Sequence, residues 1–171
     1  TTTSGNSVTV TAPTTAAGSF VYELISVSSS TTPACTQSQT GTATVTVNAG
    51  ATATISYNSG TFCITETTAQ PVNFTGTLGG YYAATPAGLN LDATTGAIIP
   101  SASSPGTYSV TYHVNASGGC PAYTSNPTTV NILSGPTATI SYGGPYCASL
   151  SGDVAVVQTG TTGGIYTASP N

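Results

Sequence analysis

The chain offers few side chains that could do chemistry. Among its 171 residues are four cysteines, one histidine and four acidic residues, and there is no lysine or arginine. No CxxC pair is present, and the single histidine is far in sequence from a second candidate ligand, so a zinc site is not expected. Disulfides formed in an oxidising compartment are the better interpretation of the cysteines, which are Cys35, Cys63, Cys120 and Cys147.

The histidine and the acids do not suggest a catalytic site. Ser109 is expected on the same strand face as His113, but no acid partner and no GxSxG elbow accompany them, so His113 is interpreted as a solvated residue. The acids are spread singly along the chain, as Glu23, Glu66, Asp92 and Asp153. Neither a paired-carboxylate site nor a calcium loop can be assembled locally from them. We expect no enzyme activity and no cofactor, with calcium held mainly by backbone carbonyls as the alternative.

The charge balance limits the partners. The formal net charge is −4 and no cation offsets it, so binding to nucleic acid or to an anionic membrane surface is not expected. No signal peptide and no apolar run of membrane-spanning length is present, so membrane insertion is not expected and any export signal is expected upstream. The chain also has no trypsin-type cleavage site, which suits an extracellular, protease-rich setting.

Two stretches of the sequence recur. ATISYNSGTFC at residues 53–63 returns as ATISYGGPYC at residues 138–147. TGTLGGYYAATP at residues 75–86 returns as TGTTGGIYTASP at residues 159–170. The period of roughly 84 residues is the size of one small β-sandwich rather than one solenoid turn.

The repeat predicts three domains. Residues 1–50 are the C-terminal part of one repeat, residues 51–134 a complete repeat, and residues 135–171 the N-terminal part of the next. Joined tail to head, the two flanking pieces make roughly one further repeat. Two explanations stay open. The chain is a window cut from a longer one, or it is a filament subunit. In the second case its rear half (residues 1–50) docks on the front half (residues 135–171) of a neighbouring copy by strand complementation.

Alternation of apolar and hydroxyl-bearing residues predicts short strands throughout. In the first domain they are expected at residues 7–13, 18–27 and 42–48, with Phe20 at the position of Tyr108. The complete repeat predicts seven, which is typical of an immunoglobulin-like sandwich. They are placed near residues 52–57, 71–76, 80–84, 88–91, 97–99, 107–114 and 128–133. The predicted fold class is therefore all-β, as tandem immunoglobulin-like β-sandwiches with one complete unit between two partial ones.

The sixth of these strands carries the clearest core pattern. Tyr108, Val110 and Tyr112 fall on one face, which should be the core face. Tyr108 follows a Pro-Gly turn and is expected to act as a tyrosine corner, with a buried ring and a hydroxyl bonded to the backbone. In the preceding turn, Asp92 is expected to accept backbone N–H groups and Gly96 to adopt a positive φ.

The pattern GLNLDATTGAI (residues 88–98) followed by PGTYSVTYHV (residues 105–114) resembles the immunoglobulin-like and PKD-like repeats found in tandem in large bacterial surface proteins. The secreted adhesins of Bacteroidota are the main examples. The resemblance implies a secreted, cell-surface stalk or adhesin module, and it lends no catalytic residues. The chain lacks the DxNDN-type acid clusters of cadherin-like relatives, which argues against calcium-rigidified linkers.

The pairing of the cysteines has two interpretations. Cys63 and Cys120 occupy equivalent loops of the complete repeat, and a bridge between them would close a loop of about 57 residues and contribute about 3–4 kcal/mol. Cys35 and Cys147 would then pair outside the 171 residues. A plain sandwich, however, places its first and last loops at opposite ends, which favours bridges between adjacent repeats.

The expected function is a structural fibre or stalk module at a bacterial cell surface, with neighbouring copies or repeats as head-to-tail partners. The alternative is a glycan-binding module in which Tyr81 and Tyr82 stack on sugar rings. Against this alternative, Tyr57, Tyr142 and Tyr166 recur at matched repeat positions, as packing residues would.

Overall fold

A computed structural model describes residues 8–169, and these form an all-β structure. The predicted fold class is confirmed. Within the described range, no helix is long and apolar enough to cross a membrane. The strands are β1 (Gly18–Glu23), β2 (Ser26–Ser28), β3 (Thr36–Ser38), β4 (Thr42–Val47), β5 (Ala53–Ser56), β6 (Thr61–Cys63), β7 (Asn73–Gly76), β8 (Tyr81–Thr85), β9 (Gly106–Val114), β10 (Tyr123–Thr124), β11 (Thr128–Leu133), β12 (Ala138–Ser141) and β13 (Val157–Gly160), with a short 3-10 helix at Pro100–Ala102.

The described chain divides into two compact units. The first contains residues 8–55, 74–81 and 111–126, and the second contains residues 56–73, 82–110 and 127–169. In the first unit, β1 pairs with β4, β2 with β3, β5 with β7, and the end of β9 with β10. In the second unit, β11 pairs with the start of β9 and with β6, and β12 pairs with β13. The domain boundaries predicted from the sequence repeat stay a prediction.

The core of the second unit is built from alternate residues of its strands. Ile98, Val110 and Val130 have no exposed surface. Val110 and Tyr108 lie on one face of β9, and Tyr108 is the register partner of Val130 on β11. Burying a side chain of this size contributes about 1.5–3 kcal/mol. The hydroxyl-bearing residues between them face outward, so the two-residue period separates the core from the surface.

In the first unit, Tyr112 holds the β9 strand to the glycine pair that precedes β8. Its hydroxyl accepts a hydrogen bond from the Gly80 amide at 2.7 Å and donates to the Thr77 carbonyl oxygen at 3.1 Å. Its ring also packs against Phe74 at a centroid distance of 4.7 Å. A Cβ on Gly80 would lie 2.1 Å from the His113 carbonyl oxygen, so no other residue fits there.

The pair β1–β4 has the same register as the pair β9–β11. Gly18 pairs with Val47 and Phe20 with Val45, and in the complete repeat Gly106 pairs with Ile132 and Tyr108 with Val130. The match continues downstream. Ser26 pairs with Ser38 on β2 and β3 as Val114 pairs with Tyr123 on β9 and β10. We call residues 8–50 the rear half.

The pair β12–β13 likewise has the arrangement of β5–β7. The Thr161 amide donates to the Thr137 carbonyl oxygen at 2.8 Å, and the Thr77 amide donates to the Thr52 carbonyl oxygen at 2.7 Å. A Cβ on Gly160 would lie 2.2 Å from the Thr137 carbonyl oxygen, and a Cβ on Gly76 would lie 2.2 Å from the Thr52 carbonyl oxygen. We call residues 135–169 the front half.

Several predicted strands differ from those observed. Residues 8–13 form no strand, and Ser7 lies outside the described residues. The predicted strands at residues 88–91 and 97–99 are reduced to isolated bridges, in which Ile98 pairs with Leu91 and with Gln70. The Asp92 turn separates the two segments, and the bonds from the Asp92 amide to the Ala97 carbonyl oxygen and from the Ile99 amide to the Asn90 carbonyl oxygen do not extend into strands. The short strands β3, β6 and β10 were not predicted, because their lengths of two or three residues are set by their partner strands and not by their own pattern.

Candidate functional site

An apolar face lies open on the rear half. We call it the rear face and define it by Phe20, Tyr22, Val45 and Val47, which are neighbours on β1 and β4. These side chains are half-buried. Tyr22 and Val45, with Val8, Val10 and Leu24, line an open groove of about 570 Å³. The matching residues of β9 and β11 are buried in the core, and they are Tyr108, Val110, Val130 and Ile132.

A second open face lies on the front half. We call it the front face and define it by Ile140 and Tyr166, which line a groove of about 280 Å³ together with Gln158. Ile140 is 59% exposed and Tyr166 is 51% exposed. Tyr166 donates a hydrogen bond to the Gln158 side-chain oxygen across the groove. Ile55 and Tyr82, at the matching positions of the complete repeat, are 5% and 7% exposed.

Tyr108 has the geometry expected of a tyrosine corner. Its ring is 3% exposed, and its hydroxyl donates to the Ser104 carbonyl oxygen at 2.7 Å. Gly88 lies close beneath it, and a Cβ there would lie 2.8 Å from the tyrosine hydroxyl oxygen. The bond fixes the turn that enters β9 and leaves the buried hydroxyl satisfied.

Asp92 organises the turn before β9. Its Oδ1 accepts the backbone amides of Thr95 at 2.9 Å and Thr94 at 2.8 Å. These bonds hold the pKa of the Asp92 carboxyl below its usual value. Gly96 has φ +73°, in the left-handed region that favours glycine. Its carbonyl oxygen accepts the Tyr57 hydroxyl at 2.6 Å, and burial, with a smaller contribution from Tyr82, raises the pKa of Tyr57.

All four cysteines are free thiols in the structure, so the predicted Cys63–Cys120 disulfide is not formed here. Cys63 Sγ accepts a hydrogen bond from the Thr65 hydroxyl at 3.1 Å. Cys147 Sγ lies 3.0 Å from the Ser149 hydroxyl, in the same two-residue spacing. In both cases the hydroxyl, followed by the backbone amide of the same residue, lowers the pKa of the thiol.

The other two cysteines have different surroundings. Cys120 Sγ lies 3.6 Å from the Asn48 carbonyl oxygen and 3.5 Å from that of Ala49. The Cys35 backbone amide donates to the Ser29 hydroxyl at 2.9 Å. The Ser29 amide donates to the Cys35 carbonyl oxygen at 2.8 Å, and the Ser117 amide donates to the Cys120 carbonyl oxygen at 3.2 Å. By these contacts and by repeat position the cysteines fall into two classes, Cys63 with Cys147 and Cys35 with Cys120. Whether Cys63 pairs with Cys120 stays a prediction.

His113 is bonded to hydroxyl groups and not to an acid. Its Nε2 lies 2.8 Å from the Thr111 hydroxyl and its Nδ1 lies 3.0 Å from the Thr124 hydroxyl. Its ring stacks on Tyr81 at a centroid distance of 5.1 Å. The imidazole is half-buried and held on both nitrogens, so the solvated state expected from the sequence is only partly correct.

The two tyrosines considered for glycan contact differ in exposure. Tyr81 is 46% exposed and Tyr82 is 7% exposed. Successive residues on β8 point to opposite faces, so only one of the two reaches solvent. The expectation that both are exposed is wrong for Tyr82, whose ring lies beside Gly96. Contact between Tyr81 and a glycan stays a prediction.

No group of three His, Cys, Asp or Glu residues that could hold a metal ion occurs within residues 8–169. Docking of the rear half on the front half of a neighbouring copy was one of the two explanations drawn from the repeat, but the residues that form the rear and front faces were not predicted. The signal that could have found them is the comparison of matched positions in the repeat, such as Ile140 with Ile55. No protein family, curated protein or solved structure matches this chain.

Proposed function

We propose that this protein is a structural module of an extracellular fibre or stalk, assembled from immunoglobulin-like repeats. In this proposal the rear face of one copy is covered by the front face of a second copy. The two halves together make a sandwich like the complete repeat. The contact joins different surfaces head to tail, so it propagates a fibre and does not close a dimer.

The observation that carries the proposal is the difference in exposure at matched positions. Ile55 and Ile140 have the same place in their strand pairs, but Ile55 is 5% exposed and Ile140 is 59% exposed. The same holds for Tyr57 and Tyr142, at 7% and 59%. A sequence that keeps core residues on an open face favours a partner that buries them. The other end of the same chain carries the half of the repeat that the open face lacks.

The missing strands support the same partner. In the complete repeat β6 pairs with β11, and β8 pairs with β9. The matching segments of the front half, residues 145–147 and 165–169, are described and form no strand. Their partner strands would correspond to β4 and β1, which pair only with each other in the described structure. Docking would let these segments add to both edges of β1–β4, which is strand complementation.

The linker and the surface chemistry suit a stiff extracellular fibre. Only residues 134–137 separate β11 from β12, and short linkers limit hinge motion. With no lysine or arginine, the chain offers no trypsin-type site and no salt bridge made by either residue. The faces would join through apolar packing and backbone hydrogen bonds, so the assembly should be nearly independent of salt concentration.

Sedimentation of the 171-residue chain across a concentration series, in reducing buffer, tests the proposal. We expect polymers that grow with concentration. Ile140→Asp places a charge on the front face and should give monomers. Ser141→Asp, with the same charge on the opposite face of β12, is the matched control and should still polymerise.

A chain that stays monomeric at all concentrations would overturn pairing between copies. A chain that polymerises equally with Ile140→Asp and with Ser141→Asp would show that the front face is not the contact. Either result would overturn the proposal that the front face of one copy covers the rear face of another.

A second candidate function rests on Tyr81, whose ring is 46% exposed beside His113. An aromatic ring in this position can stack on a sugar. Binding to a glycan array that is lost in Tyr81→Ala and kept in Tyr142→Ala would favour it. An array with no Tyr81-dependent signal would exclude it.

A further inference from the structure

Both cysteine classes lie beside the linkers that join successive repeats. Cys120 Sγ contacts the carbonyl oxygens of Asn48 and Ala49, which come directly after β4. Cys63 is the register partner of Leu133, the last residue of β11. The Ile64 amide, next to Cys63, donates to the Leu133 carbonyl oxygen at 2.9 Å. Asn48 and Ala49 lie in the linker that precedes the complete repeat, and Leu133 lies at the start of the linker that follows it.

These two linkers are equivalent points of the repeat. Val47 on β4 occupies the place of Ile132 on β11, since their partners are Gly18 and Gly106. Asn48 therefore corresponds to Leu133. Any linker in an array is then approached by a cysteine of the Cys63 class from the repeat before it and by one of the Cys120 class from the repeat after it. Cys63 lies one strand spacing, about 4.8 Å, from Leu133, and Cys120 Sγ lies 3.5 Å from the Ala49 carbonyl oxygen, so the two classes reach the same stretch of a linker.

The flanking halves supply the same two classes. Cys35 precedes β3 by one residue, and β3 pairs with β2 in the register in which β10 pairs with β9, which places Cys35 in the class of Cys120. Cys147 has the sequence position and the hydroxyl contact of Cys63. One composite repeat, made from the front half of one copy and the rear half of the next, therefore carries one cysteine of each class.

We propose that two disulfides lock each junction between copies: Cys63 of one copy with Cys35 of the next, and Cys147 of the first with Cys120 of the next. The inference rests on the proposed head-to-tail assembly. It uses all four cysteines and leaves none for a bridge within one repeat. It assigns the partner of Cys63 to a different copy, in place of Cys120 of the same chain.

The chemistry requires an oxidant, for which we name a small-molecule disulfide such as oxidised glutathione. The thiolate of Cys63 attacks one glutathione sulfur, the S–S bond of glutathione breaks, and one glutathione thiolate leaves. The thiolate of Cys35 from the next copy then attacks the Cys63 sulfur and releases the second glutathione. Two protein thiols are oxidised and one glutathione disulfide is reduced to two thiols, and the two protons lost by the protein thiols are taken up, through solvent, by the two glutathione thiolates. Cys147 and Cys120 react in the same way.

The contacts of Cys63 and Cys147 suit them to the attacking role. The hydroxyls of Thr65 and Ser149 stabilise their thiolates and lower the pKa of each thiol. Both cysteines belong to the class that lies beside the linker following its own repeat. Each junction therefore has two pairs of thiols. In each pair one thiol has a lowered pKa, Cys63 or Cys147, and the other, Cys35 or Cys120, attacks the mixed disulfide.

Double cysteine variants of the full chain test the pairing. Each is assembled in reducing buffer, checked by sedimentation, then exposed to oxidised glutathione and run on a denaturing gel without reductant. The variant C120S/C147S keeps Cys63 with Cys35, and C35S/C63S keeps Cys120 with Cys147. Both should give ladders of covalent multimers. The matched variants C35S/C147S and C63S/C120S also keep two cysteines but no junction pair, and they should run as monomers.

A peptide map identifies the bonds directly. Pepsin is suitable because the chain has no lysine or arginine. The expected cross-linked peptides join Cys63 to Cys35 and Cys120 to Cys147. A Cys63–Cys120 peptide, or polymers in reducing buffer that give no ladder after oxidation, would overturn the disulfide inference while the assembly stands. A chain that does not polymerise in reducing buffer would overturn the proposed function first, and the inference with it.

Discussion

Ile55 on β5 and Ile140 on β12 have the same place in the repeat, but Ile55 is 5% exposed and Ile140 is 59% exposed. One side chain is already part of a core. The other has the residue type of a core position and lacks the opposite sheet. This contrast between a buried and an exposed isoleucine is one example of the open apolar faces on the two halves.

Alanine at these two positions should have different effects on the free energy of unfolding. Ile55→Ala removes buried methylene groups and should cost about 2–5 kcal/mol. Ile140→Ala removes exposed atoms and should cost less than about 0.5 kcal/mol in the dilute monomer. In the polymer, Ile140→Ala should raise the concentration needed for assembly. Urea unfolding of the monomer and sedimentation of the polymer measure the two effects, and equal losses in the monomer would contradict the exposure of Ile140.

Tyr108→Phe should destabilise the complete repeat by about 1 kcal/mol, because it removes the hydrogen bond to the Ser104 carbonyl oxygen and keeps the ring. The measurement is the shift in urea midpoint at constant m-value. Tyr142→Phe is the control, since Tyr142 is 59% exposed. If both variants had the same midpoint as the parent chain, the corner bond would have no structural role.

The turn at Asp92 should make stability depend on acid pH. The backbone amides of Thr95 and Thr94 lower the pKa of the folded carboxyl below its unfolded value of 3.8. The stabilisation is therefore fully present above that pKa, and it is lost as the pH falls through the lower folded value. Thermal unfolding from pH 6 to pH 2 should show a drop in Tm in the parent chain that is smaller in Asp92→Asn.

The control for Asp92 is Asp153→Asn, which removes the same formal charge elsewhere in the chain. It should keep the parent's dependence on pH. An equal flattening of the pH profile by both variants would mean that net charge, and not the turn, is responsible.

Thr65→Val should slow the reaction of Cys63 with iodoacetamide near neutral pH. The Thr65 hydroxyl is the main cause of the lowered pKa of this thiol, so its loss leaves less thiolate at a given pH. The rate is measured against pH in the C35S/C120S/C147S background, in which Cys63 is the only thiol. Thr67→Val is the matched control, and a pH profile that moved equally in both variants would argue against the Thr65 contact.

The sequence was sufficient for features that depend on local pattern. The place of Tyr108 after a Pro-Gly turn, and its alternation with Val110 and Tyr112, predicted the buried face of β9. The Asp92 turn was predicted because aspartate and a following glycine supply the acceptor and the positive φ that such a turn needs.

Features that depend on distant partners could not be predicted in the same way. β6 is three residues long and exists because β11 lies beside it. Leu91 and Ile98 form one bridge and not two strands, because the turn between them takes up the intervening residues. Tyr82 was misjudged because a local Tyr-Tyr pair does not tell which of its members faces the core.

The most direct test of the account mixes two blocked chains. Tyr22→Asp blocks the rear face and leaves the front face intact, whereas Ile140→Asp does the opposite, so each alone should be monomeric. Mixed in equal amounts in reducing buffer, they share one intact rear face and one intact front face, and sedimentation should show a 1:1 dimer and nothing larger. If the mixture stayed monomeric while the parent chain polymerised, the two faces would not be each other's partners and the central claim would be wrong.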